Sequence, residues 1–428
     1  MDAMRLEPVL GPIQLVFYCV GVIIGAGVYS VIGVAAGQAN ESLWLSFLIA
    51  AVVALLTGFS YAEMTTSFPH AGAEYIYLKR AFPKSDFASF SIGLMILIGG
   101  AATATTVAVA FGGYLRTFVD IPVTISAFVL LLGCTAFNIW GLRESSWANV
   151  ILTSIEIAGL LIVIVAGFTE GNLSRQVPVQ WHAGVMPAAA ILFFVYLGFE
   201  EIANLTEEVR DPARDLPRSI FFSIGITTLL YILVSVAVIA LASPADLAAS
   251  QAPLALAVQK AWPGAGNFLS AIALFATANT VLITLIATSR LAFSMGRDGE
   301  IPKLLAIVLP GRGTPWIAAV LCFAMCVALL PIDNVKILAE LSSFSALLAF
   351  MAVNLALVVL RYRLPNHGRP FRVPLSIGRL PLLPVAAMIS IVVLLVHFDW
   401  QIYLAGVAAL VFTGVAFIAR QAFRETRR

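Results

Sequence analysis

Apolar residues do not alternate along this chain; they come in long runs. Twelve runs approach or exceed the roughly 20 residues that cross a bilayer as a helix, each parted from the next by a short polar segment. They lie at Gly11–Ala36, Leu43–Phe68, Phe87–Leu115, Val123–Trp140, Trp147–Phe168, Val185–Leu205, Ile220–Leu241, Asn267–Phe293, Trp316–Leu330, Val335–Leu360, Leu382–Phe398 and Ile402–Ala419. The ninth is the shortest. The pattern predicts an all-α polytopic membrane protein with about twelve transmembrane helices. No small-residue cleavage site follows the first run, so no cleaved signal is expected.

Composition agrees and excludes other classes. Of 428 residues, 61% are hydrophobic and 11% are charged, against roughly 45–50% and about 25% in a soluble domain. Mean hydropathy is +0.98. A soluble globular protein, a disordered tail and a nucleic-acid binder are all excluded. The bilayer is the solvent.

The net charge is only +2, so the information lies in where the charges sit. Placing the N-terminus inside puts 21 of the 25 basic residues on the inner side. The outer side keeps Arg116, Arg175, Lys260 and Lys336. Basic residues collect on the cytoplasmic side of membrane proteins, so both termini are expected in the cytoplasm, with the protein in the cell membrane. No G-x-x-x-x-G-K-[ST] motif is present, so any solute movement must draw on an existing gradient.

Cysteine and histidine add little. Cys19, Cys134, Cys322 and Cys326 sit in apolar runs with no C-x-x-C spacing, and the four histidines lie far apart, in or beside loops. Neither a metal nor a cofactor is expected.

Two runs carry features that a plain spanning helix does not need. The first reads Gly21-Val-Ile-Ile-Gly25-Ala-Gly27-Val-Tyr29. Gly21/Gly25 and Gly33/Gly37 could be G-x-x-x-G packing faces, or the glycines could admit unwound backbone. The sixth reads Phe193-Phe-Val-Tyr196-Leu-Gly198-Phe-Glu200-Glu201. Adjacent carboxylates within a span are costly unless water or free N–H groups meet them. A helix interrupted near Gly198 would supply such groups. Breaks in spans one and six, five spans apart, predict two inverted five-helix repeats, 11–168 and 185–360, with two further helices at 382–419. Unwound backbone at that depth must line a cavity or be buried in protein. Carbonyls ending near Ile23–Ile24 suit an ammonium and amides restarting at Gly27 suit a carboxylate. Together they fit an α-amino acid zwitterion.

These residues resemble the amino acid–polyamine–organocation transporters. The Gly21–Tyr29 segment is similar to their first-helix signature, G-x-I-I-G-[ST]-G-I-F. Glu63 with Pro69-His-Ala-Gly72-Ala-Glu-Tyr75-Ile-Tyr77 resembles their second-helix and first inner-loop motif. Gly198-Phe-Glu200, Glu207-Glu208-Val-Arg210-Asp-Pro212 and Asp215-Leu-Pro217-Arg218 resemble the sixth-helix signature. Ser289-Arg290 with Arg297-Asp298-Gly299-Glu-Ile-Pro302 resembles the loop after helix eight. The resemblance implies a LeuT-type five-plus-five inverted-repeat fold and secondary transport of amino acids or related amines. It implies that Ile23, Ile24, Gly25, Ala26 and Gly27 hold the substrate's α-amino and α-carboxyl groups. Phe194, Val195, Tyr196, Leu197 and Gly198 would line the sixth-helix break. Ala26 stands where the family usually has a hydroxyl. Many sodium-independent relatives have a lysine midway along helix five; anchored on Asn149 and Thr153, that position is Glu156 here. The sign of the charge is reversed, so coupling cannot be copied from them.

Several polar residues have both a bland and a functional reading. Glu156 is the one ionisable residue in Trp147–Phe168 and is expected to serve coupling rather than structure. Glu200 could gate or couple, or simply sit at a helix N-terminus. Glu63 is expected to pair with an inner arginine. Thr103, Thr106, Thr277, Thr280 and Thr284 are expected to bond to their own helices, and Asn279 to face the cavity. The function expected is a sodium-independent amino acid permease, proton-coupled or exchanging. The alternative is a cationic amine or polyamine carrier, with Glu200 and Glu201 meeting a second ammonium. A channel or an intramembrane enzyme fits less well: neither a filter motif nor a mid-span histidine is present.

Overall fold

A computed structural model describes residues 11–69, 73–83, 85–141, 146–173 and 181–425. Residues 70–72 of the inner-loop motif, Lys84, Arg143, Arg175 and both chain ends, with Arg5, Arg427 and Arg428, lie outside the described residues. So do the side chains of residues 142–150, Asn149 among them.

Every one of the twelve apolar runs falls on helix. In lipid, helix meets each backbone polar group within its own segment. The first run is divided into α1 (Pro12–Ile24) and α2 (Gly27–Ala39). Then come α3 (Leu43–Ser67), the short amphipathic α4 (Ala73–Ala81), α5 (Asp86–Leu115), α6 (Val123–Trp140) and α7 (Ser146–Glu170). The sixth run starts as α8 (Val185–Leu192) and continues as 3-10 helix. Next are α9 (Pro212–Leu241), two short helices α10 (Pro244–Ala249) and α11 (Pro253–Ala261), and α12 (Ala265–Arg297). The chain ends with α13 (Trp316–Leu329), α14 (Val335–Arg363), α15 (Leu382–Leu395) and α16 (Trp400–Glu425). A two-stranded antiparallel hairpin, β1 (Ser376–Ile377) and β2 (Leu380–Pro381), precedes α15.

Eight helical runs are long and apolar enough to cross a membrane among the described residues. One of them, Gly27–Ser67, has 41 residues. At 1.5 Å per residue it would reach about 60 Å, twice the hydrocarbon thickness. Asn40, at φ +52°, divides it into α2 and α3. The pair α15 and α16 bends by 117° at its junction, and Pro12–Ile24 and Trp316–Ile332 are shorter apolar helices.

The broken first span packs on α7 and α9; the sixth packs on α2 and α3. At the centre of the second layer α5 lies against α12, α14 and α6. Large apolar side chains stay exposed on the outer surface, such as Phe137, Ile151, Phe275, Ile389 and Ile418, as lipid-facing positions require. Gly33 and Gly37 form a packing face: a Cβ on either would press into Leu247 or Ala248 of α10.

One ion cluster ties one end of the bundle together. Glu63, on α3, is fully buried. Its carboxylate accepts from Arg361 at the end of α14 through Nε, 2.9 Å, and again through a second, short contact from the same guanidinium. Arg369 lies 3.0 Å away and the Val373 amide donates at 2.7 Å. The pairing expected for Glu63 is therefore present, with two arginines and a backbone amide. Breaking one side of such a buried pair leaves an uncompensated charge, a loss of about 3–5 kcal/mol. Glu63→Ala should lower the apparent melting temperature in detergent markedly. An unchanged melting temperature would remove the cluster from any account of stability.

Candidate functional site

Both helix breaks occur at glycines in the left-handed region. Gly25 ends α1 with φ +29° and Gly198 stands at φ +118°. Side-chain-bearing residues adopt such backbone only with strain. The first break is where the sequence placed it: α1 stops at Ile24 and α2 starts at Gly27. The sixth differs in form. After the 3-10 turn Phe193–Tyr196 and the break, Phe199–Glu208 is 3-10 rather than α-helix. Ten residues of 3-10 is long for a helix type that rarely exceeds three or four.

The two breaks touch. A Cβ on Gly27 would stand 3.2 Å from the Val195 Cα, and one on Gly198 would stand 3.0 Å from the Val22 carbonyl oxygen. Ile23, Ile24, Ala26, Phe194, Val195 and Tyr196 are each 3% exposed or less. Neither break is open to solvent in this arrangement.

A tyrosine joins the breaks. The Tyr231 hydroxyl, on α9, lies 2.8 Å from the Ile23 carbonyl oxygen, 3.4 Å from that of Ile24 and 3.1 Å from that of Val195. A phenol has one proton to donate. Three carbonyls therefore converge on one donor, and acceptor capacity is left over. The carbonyls expected to be free at Ile23–Ile24 are instead shared with Tyr231. On the other side of the break, the Ala26 amide donates to the Thr280 hydroxyl at 2.9 Å. Thr280 does not bond to its own helix as expected; the unwound amide needs an acceptor and takes it. Thr106 and Thr277 do bond back, to Ala102 and Ala273, while Thr103 shares its hydroxyl between Gly99 and Ser342. The amides beginning α2 at Gly27 have no carbonyl of that helix to meet them and carry its positive dipole end.

Glu156 runs alongside the first break. The Gly21 position leaves room only for the Thr153 side chain, one turn before Glu156, so there the glycine serves packing. One turn beyond the break, the Tyr29 hydroxyl donates to the Glu156 carbonyl at 3.0 Å. The Glu156 side chain is 2% exposed, and both its carboxyl oxygens are buried without a hydrogen-bond partner among the described residues. Asn279 of α12 stands beside that carboxyl, and Tyr231 and Tyr29 face it.

The structure thus brings Ile23–Gly27, Val195, Glu156, Asn279 and Thr280 to one place. Tyr196 donates to the Phe47 carbonyl at 3.1 Å while its ring packs edge-on against Tyr231, with centroids 5.5 Å apart. Glu200 lies just past the sixth break in the chain, where its carboxylate accepts from the Gly198 amide at 2.8 Å. Glu201 and Glu74 lie near it, and the Tyr61 hydroxyl donates to Glu74 at 2.7 Å. Tyr231 was not singled out in the sequence. A tyrosine deep in an apolar run was its only signal, since a buried hydroxyl usually finds a partner.

A family profile described as "Amino acid permease" matches residues 10–423. The chain belongs to that family. The permease is 28% identical over 421 residues to the branched-chain amino acid permease BcaP of Bacillus subtilis, covering 91% of this chain and 88% of that one. It is 29% identical to the methylthioribose transporter of the same organism, over 88% and 85% of the two chains. It is 32% identical to the mitochondrial cationic amino acid transporter 3 of Arabidopsis thaliana, over 83% of this chain and 63% of that one. The resemblance read from the motifs is borne out: this is a multi-pass membrane transporter of amino acids, not an enzyme.

Two predictions follow from the geometry. Gly27→Val would drive side-chain atoms into Val195 and separate the breaks, so substrate affinity should fall at least about tenfold, read by ligand-dependent thermal shift; a folded variant with unchanged affinity would take the break out of the binding site. The second concerns Glu74 on α4, outside the spans. Burial pushes its carboxyl above the ordinary 4.5, and the Tyr61 hydroxyl only tempers this. The folded protein then holds the proton to higher pH than the unfolded chain does, so stability is lost as pH rises past about 4.5. Glu74→Gln keeps an acceptor for Tyr61 without the charge. It should match wild type in melting temperature at pH 4 and exceed it at pH 8; equal values at pH 8 would refute the point.

Proposed function

We propose that the permease carries α-amino acids with apolar side chains across the cell membrane, independently of sodium, with Glu156 as the proton-accepting group. The observation that carries this reading is the meeting of the two breaks. The carbonyls of Ile23, Ile24 and Val195 converge on a single hydroxyl, which leaves acceptors for an ammonium. The start of α2 at Gly27 offers amides for a carboxylate. Phe194 and Leu197 beside the break supply apolar surface for a side chain. The branched-chain relative supports the same substrate class. The 21:4 division of basic residues supports a cytoplasmic position for both termini and for the Glu63 cluster. Spans one to five and six to ten form the two inverted repeats.

Glu156 supports coupling through its position. A charged carboxylate at that depth, with no ion pair among the described residues, costs several kcal/mol, and the neutral form lowers the cost. The two forms favour different arrangements of the first-helix break, and a coupling ion must discriminate between states in this way. A carboxyl with Asn279 beside it and no ion pair among the described residues also favours a second reading, in which Glu156 meets the side-chain ammonium or guanidinium of a cationic amino acid. The cationic transporter relative is in keeping with that.

Proteoliposomes separate these readings. Wild type should concentrate leucine when a proton gradient is imposed and should not require sodium. Glu156→Gln should still exchange leucine across the membrane but lose pH-driven accumulation. If the variant concentrates substrate with the wild-type pH profile, Glu156 is structural. If arginine is transported and leucine is not, and Glu156→Gln abolishes arginine binding, the cationic reading replaces the first. Uptake that follows sodium at fixed pH would overturn both.

A further inference from the structure

The Glu63 cluster has more positive charge than its carboxylate can balance. Beside it lies a cavity of about 230 Å³ lined by Arg361, His367, Arg369, Arg372, Arg379 and Pro365. Four arginines and a histidine thus surround one space, and the carboxylate at its base is already shared by two of them. Arg372 and Arg379 form no ion pair among the described residues.

The walls are built rather than incidental. Arg361 is 3% exposed and is fixed by Glu63, by the Val373 carbonyl at 3.2 Å and by the Ser376 hydroxyl at 2.7 Å. Arg369 donates to the carbonyls of Leu360 and Leu364, at 3.2 and 3.0 Å. The His367 ring stacks on Phe68 at 4.8 Å between centroids and its Nε2 lies 3.1 Å from the Ser67 carbonyl oxygen. Arg379 sits in the turn of the β1–β2 hairpin. Burial pulls Arg369 below the usual arginine range; Glu63 opposes this, and the crowding of Arg361 and Arg372 adds to it. Arg361 and Arg369 share one carboxylate, so the positive charge here is only partly balanced.

We propose that this cavity binds an anion bearing phosphate oxygens. Guanidinium forks match such oxygens in geometry and charge. Phosphate of this kind can come from an anionic lipid headgroup or from a soluble phosphate. The surroundings favour the lipid. Tyr362, Leu364, Leu375 and Ile377, in the stretch of chain that carries the lining residues, are 41–71% exposed, and Leu375 is held at φ +56°. The end of α14 is where a span leaves the bilayer, and an apolar rim there places the arginines at headgroup depth. A bound anion would neutralise Arg372 and Arg379 and tighten the junction of α3, α14 and the hairpin. The inference does not depend on the substrate or on coupling.

The test uses the full-length permease and the double variant Arg372→Gln/Arg379→Gln. Both residues are exposed and outside the Glu63 pairing, so the variant should fold as wild type. Thermal unfolding would be followed in neutral detergent while sodium phosphate is titrated against sodium chloride at matched ionic strength. In parallel, the protein would be placed in nanodiscs of phosphatidylcholine, with and without phosphatidylglycerol. Wild type should gain stability from phosphatidylglycerol, and the double variant should lose that gain, with apparent affinity down at least about tenfold. A gain from phosphate alone, lost in the variant, makes the occupant a soluble anion. No gain from either, or an equal gain in the variant, overturns the proposal.

Discussion

A helix that stops in the middle of a membrane leaves carbonyls and amides with no water to meet them, and this permease stops two helices at one level. Each unmet group would cost several kcal/mol in hydrocarbon. The structure answers with Tyr231, whose hydroxyl reaches carbonyls of both breaks, and with Thr280, which accepts from the Ala26 amide. These contacts hold the first and sixth segments together without completing their hydrogen bonding. One proton among three carbonyls is enough to make the breaks tolerable and too little to saturate them. The same shortage that makes the backbone costly makes it receptive to a charged solute.

A carrier must combine such a loosely satisfied centre with parts that do not yield. The Glu63 cluster is of the second kind. It joins α3 to α14 and to the segment ending at Val373 through charge-assisted bonds in a buried setting, which are roughly twice as strong as neutral ones. At the other end of α14, Lys336 pairs with Asp399 at 2.7 Å and lies 3.7 Å from Glu340. Both ends of α14 are therefore pinned, while the first break is held by the neutral hydroxyls of Tyr231 and Thr280. Motion is expected where the bonds are few and neutral.

Much of this was legible in the sequence because lipid simplifies the code. A run of apolar residues of the right length has few structures open to it, so all twelve runs fell on helix. Gly25 and Gly27 marked the first break to the residue, because little besides glycine suits the backbone a break requires. Glu63 was legible as a paired charge, since a carboxylate near the inner end of a span has few other fates. Long-range partners were not legible. Tyr231 lies more than 200 positions from Ile23, and nothing in its local pattern separates it from a packing tyrosine. Thr280 followed the local rule in the sequence and a tertiary one in the structure. The 3-10 winding of Phe199–Glu208 was equally hidden, because α and 3-10 differ in which carbonyl an amide chooses, not in which residues are apolar. The basic cavity is assembled from the end of α14, the loop and the hairpin, and in the sequence it appeared only as part of the inner charge count.

Glu156 shows where local reading and tertiary structure meet. Its place in the sequence suggested a group near the first break, and the structure puts α7 along that break, with Thr153 against Gly21 on one side and Tyr29 bonded to the Glu156 carbonyl on the other. A lysine there would bring a fixed positive charge toward the carbonyls that end α1, and could stand in for a bound cation. A glutamate cannot do so; its charged form repels those carbonyls and its neutral form can donate to one of them. Replacing the ammonium by a carboxyl therefore does not merely change a sign. On the proposed role, it changes a permanent counter-charge into a group whose interaction with the break depends on its protonation state.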